Sequence, residues 1–296
     1  MNVLFSLEAL KLRDGILCIG NFDGVHLGHQ LLLAHMQSEA RQGHASAVIT
    51  FDPPARVVFN NEKYLTSLDE KLLLIAPFQP TAVVAIPFDQ EYARTDKAVF
   101  LAQLSALSPH TVIVGEDFRF GHARAGGLDD LSHVTHKLEV FGMKRLDGVA
   151  VKSSHIRQLL QAGRVEEVKR FLGHPYLAIG PVVKGDQRGR QLGFPTANLA
   201  LPAQKALPLG VFAVSVDTPA GRFGGMANVG PRPSFPTAPP ALEVHLFDFQ
   251  GDLYGRRLTV WFEGFIREQR RFFDLDELTC RLAHDAEQAK ALLAQR

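Results

Sequence analysis

The chain has 296 residues, of which 46% are apolar and 21% charged, as is typical of a globular protein with two domains or one large one. Its 32 basic and 31 acidic residues nearly balance, so no overall field favours nucleic acid or an anionic membrane surface as a partner. The only cysteines, Cys18 and Cys280, are far apart, which disfavours a disulfide framework and favours a cytoplasmic protein. The apolar runs are too short to span a bilayer, and charges interrupt the N-terminal stretch, so we expect no membrane span or secretory signal.

The first half of the chain alternates short apolar runs with amphipathic stretches. The apolar runs predict buried strands at residues 16–19, 47–51, 82–86 and 111–114. The amphipathic stretches predict helices near residues 27–41, 68–76 and 95–107. Buried strands that alternate with helices indicate an α/β fold with a parallel sheet, and ligands bind such sheets beyond the carboxyl ends of the strands. Polar clusters do follow three of the strands, at residues 21–29, 52–56 and 115–121.

The character of the sequence changes near Gly173 and Pro175. A helix predicted over residues 153–171 should stop there, and we place the domain boundary between residues 174 and 175. Residues 176–265 contain short alternating runs separated by Gly and Pro turns, which predict an antiparallel β-barrel. Residues 274–294 return to helical spacing and should pack on that barrel.

The sequence GNFDGVHLGH at residues 20–29 joins the first predicted strand to the first helix. Backbone N–H groups and the positive end of a helix bind phosphate at such a junction. Gly24 and Gly28 permit close backbone approach, and His26 and His29 share one helix face. Two imidazoles can stabilise charge on a reacting phosphate. The simpler alternatives are a capping turn with two surface histidines, or a metal-binding pair.

This string resembles the HxGH signature of the nucleotidyltransferase superfamily, and in particular the bacterial bifunctional riboflavin kinase/FMN adenylyltransferase family. VGEDFRFG at residues 114–121 resembles the flavin-side loop of that family, and KSSHIR at residues 152–157 resembles its second phosphate motif. The resemblance implies a Rossmann-like nucleotidyltransferase domain at residues 1–174. In that domain the phosphate of FMN would attack the α-phosphorus of ATP, giving FAD and pyrophosphate.

The resemblance also implies residue roles. His26 and His29 would be catalytic and contact the ATP phosphates. The residues implied in ATP or phosphate binding in this half are Gly20, Asn21, Phe22, Asp23, Gly24, Gly28, Ser154 and Arg157. The flavin-binding residues would be Asp117, Phe118 and Arg119. Two positions depart from the family pattern, because Pro54 stands in place of a histidine and Lys152 in place of a serine.

A second glycine-rich string, GDQRGRQLGFPTANL, occupies residues 185–199. Its glycines Gly185, Gly189 and Gly193 can form an arch whose N–H groups wrap phosphates, and the Thr196 hydroxyl suits Mg²⁺. On composition alone the string could be an ordinary surface turn. It resembles the riboflavin kinase signature, which implies that residues 175–296 form a kinase domain and that Asn198 helps to bind ATP.

Strand alternation in LEVHLF at residues 242–247 places Glu243 and His245 on the face opposite Leu242 and Val244. A carboxylate there can accept the proton of the riboflavin 5′-hydroxyl as that hydroxyl attacks the γ-phosphate of ATP. The resemblance assigns this catalytic role to Glu243. The alternative is a solvent-facing strand glutamate, and His245 could orient the carboxylate or be structural.

The resemblance therefore implies a bifunctional enzyme that converts riboflavin to FMN and FMN to FAD, with ATP and Mg²⁺ in both steps. Pro54 and Lys152 leave open a monofunctional riboflavin kinase with an impaired first domain. A flavin-binding regulatory protein without turnover is the alternative outside enzymes. We expect small-molecule partners and no nucleic acid or membrane. An oligomer is compatible with the sequence, which does not specify one.

Overall fold

The computed structural model describes residues 1–185, 193–230 and 241–295, and the chain divides into two compact units, Met1–Ser153 and Ser154–Arg296. The first unit is built on a six-stranded parallel sheet with the strand order β1-β4-β3-β2-β5-β6. Its strands are β1 (Asn2–Leu4), β2 (Ile16–Ile19), β3 (Ser46–Asp52), β4 (Ala82–Pro87), β5 (Thr111–Gly115) and β6 (Lys137–Phe141). A small hairpin, β7 (Arg145–Leu146) and β8 (Val149–Ala150), follows.

Helices cover both faces of this sheet. They are α1 (Leu27–Ala40), α2 (Ala55–Asn60), α3 (Leu68–Ile75), α4 (Lys97–Leu107) and α5 (Leu128–Ser132), with short 3-10 turns at Ala76–Phe78, Tyr92–Arg94 and His122–Arg124. Alternate strand residues point to opposite faces, so the sheet carries two apolar cores. In one core Leu17 packs with Phe100 and Leu104 of α4. In the other, Cys18 packs with Leu33 of α1 and other apolar residues of α1 and α3.

The four predicted strands are confirmed as β2 to β5, and the three predicted helices as α1, α3 and α4. The parallel pairing is also confirmed. The outer strands β1 and β6 were not predicted. β1 has only three residues, and the exposed or half-buried polar positions Lys137 and Glu139 of β6 hide its strand character.

The second unit contains a closed barrel with the strand order β10-β13-β12-β11-β14-β9, in which every neighbouring pair is antiparallel. Its strands are β9 (Tyr176–Val183), β10 (Ala197–Leu199), β11 (Gly210–Thr218), β12 (Gly221–Gly230), β13 (Ala241–Leu246) and β14 (Arg257–Arg267). The predicted barrel is confirmed. Residues 231–240, which belong to the segment predicted as the barrel, lie outside the described residues.

Three helices complete the chain: α6 (Ser153–Gln161), α7 (Val165–Leu172) and α8 (Leu275–Ala294). The single helix predicted over residues 153–171 is wrong, because Gly163 has a positive φ of 72° and divides the segment into α6 and α7. Gly173 ends α7 in the left-handed conformation, as predicted. The functional boundary after residue 174 stays a prediction.

The last helix packs on the outer face of the barrel, as predicted. Ala286 and Ala289 of α8 form an apolar cluster with Ala213 of β11 and Met226 of β12. Asp285 is fully buried beside this cluster and pairs with Arg267 of β14 at 2.7 Å. Within the described part of the chain, no helix is both long and apolar enough to cross a membrane.

Candidate active sites

A tight loop connects β2 to α1 at the carboxyl edge of the first sheet. Phe22, Gly24 and Val25 have positive φ angles of 48°, 83° and 40°. Left-handed backbone is costly for a β-branched residue such as Val25, and strain of this kind is typical of functional loops. The loop turns the chain sharply, so that α1 begins at Leu27 close to the end of β2. Its N-terminal N–H groups are thereby placed at the ligand-binding edge of the sheet.

Asp23 anchors this loop from inside the protein. Its buried carboxylate Oδ1 accepts hydrogen bonds from the backbone N–H groups of Leu65 at 2.7 Å and Thr66 at 3.1 Å. The N–H of Gly24 donates to Thr66 Oγ1 at 2.8 Å, and Ser153 Oγ donates to the Asp23 carbonyl at 2.9 Å. Because Asp23 Oδ1 accepts hydrogen bonds from these N–H groups, we expect Asp23 to position the loop between β2 and α1, which is called the phosphate loop below after its predicted ligand.

His26 and His29 form a stacked pair at the start of α1. Their ring centroids lie 3.6 Å apart with 13° between the planes, so the predicted shared face is confirmed. His26 Nδ1 accepts the N–H of His29 at 3.3 Å, which leaves the ring proton of neutral His26 on Nε2 as a hydrogen-bond donor. A Cβ atom at Gly28 would stand 3.2 Å from the His26 ring, so glycine permits this arrangement.

His29 is held in its neutral form. Burial lowers its pKa well below the ordinary value of 6.5, and electrostatic interactions with His26 and Lys71 lower the pKa further. Its Nδ1 atom is buried and has no hydrogen-bond partner among the described residues. A buried polar atom without a partner is costly, so this nitrogen is suited to receive a hydrogen bond from, or donate one to, a bound ligand.

Lys71 of α3 is a site residue that the sequence reasoning missed. Its ammonium group is fully buried and donates to Thr50 Oγ1 at 3.1 Å and to the Phe51 carbonyl at 2.9 Å. Thr50 Oγ1 donates in turn to the Asn21 carbonyl at 3.0 Å. Burial lowers the pKa of Lys71 to about 8, although the carboxylates of Asp52 and Asp23 oppose the shift. The signal in the sequence is a lysine at a core-facing position of a short amphipathic helix.

The predicted flavin loop follows β5, the strand next to β2, and therefore lies at the same edge of the sheet. Asp117 and Arg119 are exposed, while Phe118 is half-buried and stacks on Phe120 with 5.8 Å between the ring centroids. The Phe118 N–H donates to the Gly115 carbonyl at 3.0 Å, which closes the turn.

Four aromatic side chains cluster at the carboxyl ends of β3 and β4: Phe51, Phe59, Phe88 and Tyr92. This cluster, called the aromatic group below, was not predicted. Phe88 makes edge-on contacts with Phe51, Phe59 and Tyr92, at centroid distances of 5.7 to 6.0 Å. Phe59 is 63% exposed, so a large apolar side chain of this group faces solvent. A cavity of about 380 Å³ adjoins this group and is lined by Leu7, Pro87 and Tyr92, among others.

The remaining predicted residues of the first phosphate site lie on other elements. Ser154 and Arg157 belong to α6, and the Arg157 side chain is buried. Pro54, the first departure from the family pattern, immediately precedes α2. Lys152, the second departure, is exposed just before α6.

In the barrel, Glu243 of β13 stands between two asparagines on neighbouring strands. The register pairs it with Asn198 of β10 and with Asn228 of β12, and directly paired residues point to the same face of a sheet. Leu242 and Val244 are buried inside the barrel, so Glu243 lies on the face opposite them, as the strand alternation predicted, and this face is the outer wall. The three side chains form a polar row across the outer wall of the barrel.

Neighbouring contacts fix the segment that leads into this row. His245 Nδ1 donates to the Pro195 carbonyl at 2.8 Å, and the Phe194 ring packs edge-on against the His245 ring. A Cβ atom at Gly185 would meet the Asn198 amide at 2.4 Å, so only glycine fits beside it. Thr196 is half-buried just before β10.

The predicted glycine arch is described only in part. Gly193 has a positive φ of 79°, a conformation that favours glycine, and a Cβ atom there would meet no atom of the described residues within 4 Å. Gly189 lies outside the described residues.

Comparison with known proteins matches the two parts of the chain to different families. Residues 9–158 match the FAD synthetase family and residues 172–293 match the riboflavin kinase family. The bifunctional riboflavin kinase/FMN adenylyltransferase of Pseudomonas fluorescens is 37% identical, with 95% of this chain and 94% of the relative covered. The chain belongs to the bifunctional riboflavin kinase/FMN adenylyltransferase family. The relative in Escherichia coli strain K12 is also 37% identical, covering 91% of this chain and 90% of its own.

This membership confirms the family that the sequence motifs indicated and the prediction that the chain is a transferase. Both domains are present, which favours the bifunctional reading over the monofunctional kinase. A crystal structure described as a macrolide-efflux protein from Streptococcus pneumoniae shares the fold, with a TM-score of 0.85 and 26% identity. The structural alignment covers 97% of this chain and 98% of the chain in that crystal structure.

Proposed function

We propose that the first unit adenylylates FMN at the His26–His29 pair and that the barrel phosphorylates riboflavin at Glu243. The main support for the first site is the buried His29 Nδ1 atom. This atom lacks a hydrogen-bond partner among the described residues and lies in the N-terminal turn of α1. A ligand with phosphate oxygens supplies such a partner and also benefits from the positive end of the helix.

In the first reaction, an oxygen of the FMN phosphate attacks the α-phosphorus of ATP and pyrophosphate leaves. The attacking oxygen is already anionic near neutral pH, so no general base is required. His26 donates from Nε2, neutral His29 can donate without transferring a proton, and the N–H groups of α1 add further stabilisation. Asp23 and Lys71 hold the loop that presents these donors.

The aromatic group at β3 and β4 supports binding of the flavin ring. An isoalloxazine is a flat aromatic system, and exposed aromatic side chains provide faces and edges for it. Phe59 is the most exposed member of the group, and Phe88 backs it from the protein side. Asp117, Phe118 and Arg119 remain candidates for further flavin contacts from the β5 loop.

In the second reaction, the riboflavin 5′-hydroxyl attacks the γ-phosphorus of ATP, and ADP leaves. Glu243 accepts the hydroxyl proton, because a carboxylate on the outer wall can approach a bound alcohol. Asn198 and Asn228 flank Glu243 and can orient both its carboxylate and the substrate. The Gln269 Nε2 group donates to Asn228 Oδ1 at 2.8 Å and fixes that amide.

The oxygen donors of Thr196 and Asn198 fit Mg²⁺, which prefers oxygen ligands. These residues would hold the ion, and the bound ion would neutralise charge on the ATP phosphates. The two cysteines, buried Cys18 and exposed Cys280, are unpaired, which supports a cytoplasmic location.

Two single substitutions separate the proposed sites. We expect His29→Ala to reduce FAD formation from supplied FMN by at least about a hundredfold and to leave riboflavin phosphorylation intact. Glu243→Gln keeps the shape of the side chain but removes the proton acceptor, so it should produce the opposite pattern. Chromatography of flavins after separate incubations with riboflavin and with FMN measures both. If either variant lost both activities while remaining folded, the assignment of separate sites would be wrong.

A further inference from the structure

Three metal-ligating side chains meet at the amino-terminal edge of the parallel sheet, opposite the edge that carries the phosphate loop. Asp14 precedes β2, His44 precedes β3 and His110 precedes β5. These three strands are adjacent in the order β3-β2-β5. Because parallel strands start at one edge, residues just before neighbouring strands converge although they are distant in sequence.

The side chains of this trio, Asp14, His44 and His110, have the spacing of ligands around one ion. One ligand atom from each lies within 4.8 Å of the other two. His110 Nδ1 and Asp14 Oδ1 are 3.4 Å apart, which is long for a hydrogen bond between them. Two ligands that each stand about 2.0 to 2.1 Å from a tetrahedral ion are separated by about 3.4 Å. The distance therefore fits the edge of a coordination tetrahedron.

The tautomer of His44 is also that of a metal ligand. Its Nδ1 atom lies 3.0 Å from the Asp14 carbonyl, so Nδ1 carries the proton and Nε2 keeps its lone pair. Metal-binding histidines commonly donate their other ring N–H to a backbone carbonyl in this way. The ring of His44 stacks on that of His110, with 4.5 Å between the centroids and 21° between the planes, so one ring has to turn before both present a lone pair to a single ion.

Backbone hydrogen bonds between the same three loops hold the trio in place. The Asp14 N–H donates to the Ser108 carbonyl at 3.2 Å, and the His110 N–H donates to the Gly15 carbonyl at 2.9 Å. The Ile16 N–H donates to the Ala45 carbonyl at 2.9 Å. The ligands are thus attached to loops that are already joined, which lowers the cost of ordering a site.

A second cluster in this unit provides a contrast. His35, Glu39 and Glu139 also have convergent ligand atoms, but Lys137 forms ion pairs with both glutamates and already supplies a cation. Among the residues that the structure describes, the ion pair of Asp14 is with His110, and no lysine or arginine takes that place. The trio therefore has room for an external cation where the second cluster has an internal one.

We propose that Asp14, His44 and His110 bind one divalent transition-metal ion of the zinc class. Two imidazoles and one carboxylate are ligands that zinc and cobalt accept, and a fourth position is left for water. His136, just before β6, has its ring centroid 6.2 Å from that of His110. The ion would join the starts of three strands at the edge away from the phosphate loop, and so act on stability.

The proposal is tested by titrating the full-length, tag-free protein with Co²⁺ and following its visible absorption, with Zn²⁺ added as competitor. We expect one equivalent to give the intense bands of a four-coordinate site, and Zn²⁺ to abolish them. His44→Gln and Asp14→Asn should each weaken binding more than about tenfold. Both variants should keep FAD formation in Mg²⁺ alone, which shows that they are folded.

His133→Gln is the matched control, because His133 is exposed and its Nδ1 also contacts a backbone carbonyl, that of Asp129. This variant should bind Co²⁺ as the unaltered chain does. Zinc should also raise the melting temperature of the unaltered chain and of His133→Gln, but not that of His44→Gln. Equal Co²⁺ spectra in the unaltered chain and His44→Gln, or no binding at millimolar Co²⁺, would overturn the proposal.

Discussion

Lys71 places an ammonium group in the interior of the first unit, where a hydrocarbon side chain would be expected. Its hydrogen bonds to Thr50 and Phe51, and that of Thr50 to Asn21, connect α3 with the end of β3 and the phosphate loop. The same charge helps to keep His29 neutral. A buried charge is costly to stability, so its presence beside the phosphate loop indicates a functional role.

Lys71→Met is expected to lower FAD formation at least tenfold without lowering stability. The fall in pKa from 10.5 to about 8 corresponds to roughly 3 kcal/mol of unfavourable free energy for the charged form, which methionine avoids. The loss of two hydrogen bonds offsets part of that gain. Assays of FAD and FMN formation, together with urea unfolding at pH 7.5, measure the result; riboflavin kinase activity should not change.

The pH dependence of stability gives a control for this prediction. Between pH 8 and 10.5 the unfolded chain binds a proton at Lys71 that the folded chain has released, so this group makes stability rise with pH. The stability difference in favour of Lys71→Met should therefore shrink between pH 7.5 and pH 9.5. A variant that is strongly destabilised at both pH values would show that Lys71 is structural.

Phe59→Ala tests the aromatic group as the flavin surface. We expect the KM for FMN in FAD formation to rise about fivefold, because a stacking or edge-on aromatic contact contributes about 1 kcal/mol. The KM for ATP and the kinase reaction should change little. Since Phe59 is 63% exposed, its truncation should leave the melting temperature nearly unchanged. An unaltered KM for FMN would remove this group from the flavin site.

At the level of single residues, the sequence predicted those side chains that stand within an unbroken local pattern. His26, His29 and Glu243 are of this kind, because a strand or helix period fixes their face. Lys71 and the partners of Asp23 escaped, since Leu65 and Thr66 are more than forty residues away from Asp23 in the chain. Contacts of that range depend on how helices dock on the sheet, which local periodicity does not specify.

The terminal helix and the barrel are joined by a charge cluster as well as by an apolar surface. Asp285 of α8 is fully buried and accepts two hydrogen bonds from Arg267 Nε of β14 at 2.9 and 3.1 Å. Arg281, one helical turn before Asp285, contacts the same carboxylate at 2.9 Å. Removal of the carboxylate leaves two guanidinium groups close together without their shared partner.

Asp285→Ala should therefore destabilise the barrel unit by about 3 to 5 kcal/mol. Denaturant unfolding followed by kinase activity measures this loss. Lys290→Ala is a suitable comparison on the same helix, because the Lys290–Glu287 pair is exposed and should contribute less than about 1 kcal/mol. Equal stability of the two variants would mean that α8 is held by its apolar contacts alone.

Secondary structure followed from the sequence wherever burial was uniform. β2 to β5 are nearly continuous apolar runs, and a short run of that kind between helices indicates a strand that is buried on both faces of a parallel sheet. The break between α6 and α7 was missed, because Gly163 is compatible with either a tolerated helix glycine or a left-handed stop. Only the fold selects between the two.

On the scale of the whole molecule, one chain contains two folds that place their candidate site residues in different ways. The parallel sheet presents its ligands at strand ends, whereas the barrel presents Asn198, Glu243 and Asn228 on its outer wall. FMN is the product of the proposed barrel reaction and the substrate of the proposed sheet reaction. The two steps therefore form a sequence that a single chain can complete with riboflavin and ATP.

The most direct test is to incubate the purified chain with riboflavin, ATP and Mg²⁺, and to separate the flavins by chromatography over time. FMN should appear first, and FAD should follow at the expense of FMN; excess chelator should stop both. Accumulation of FMN without any FAD, also when FMN is supplied, would contradict the account and leave the His26–His29 pair without its proposed reaction.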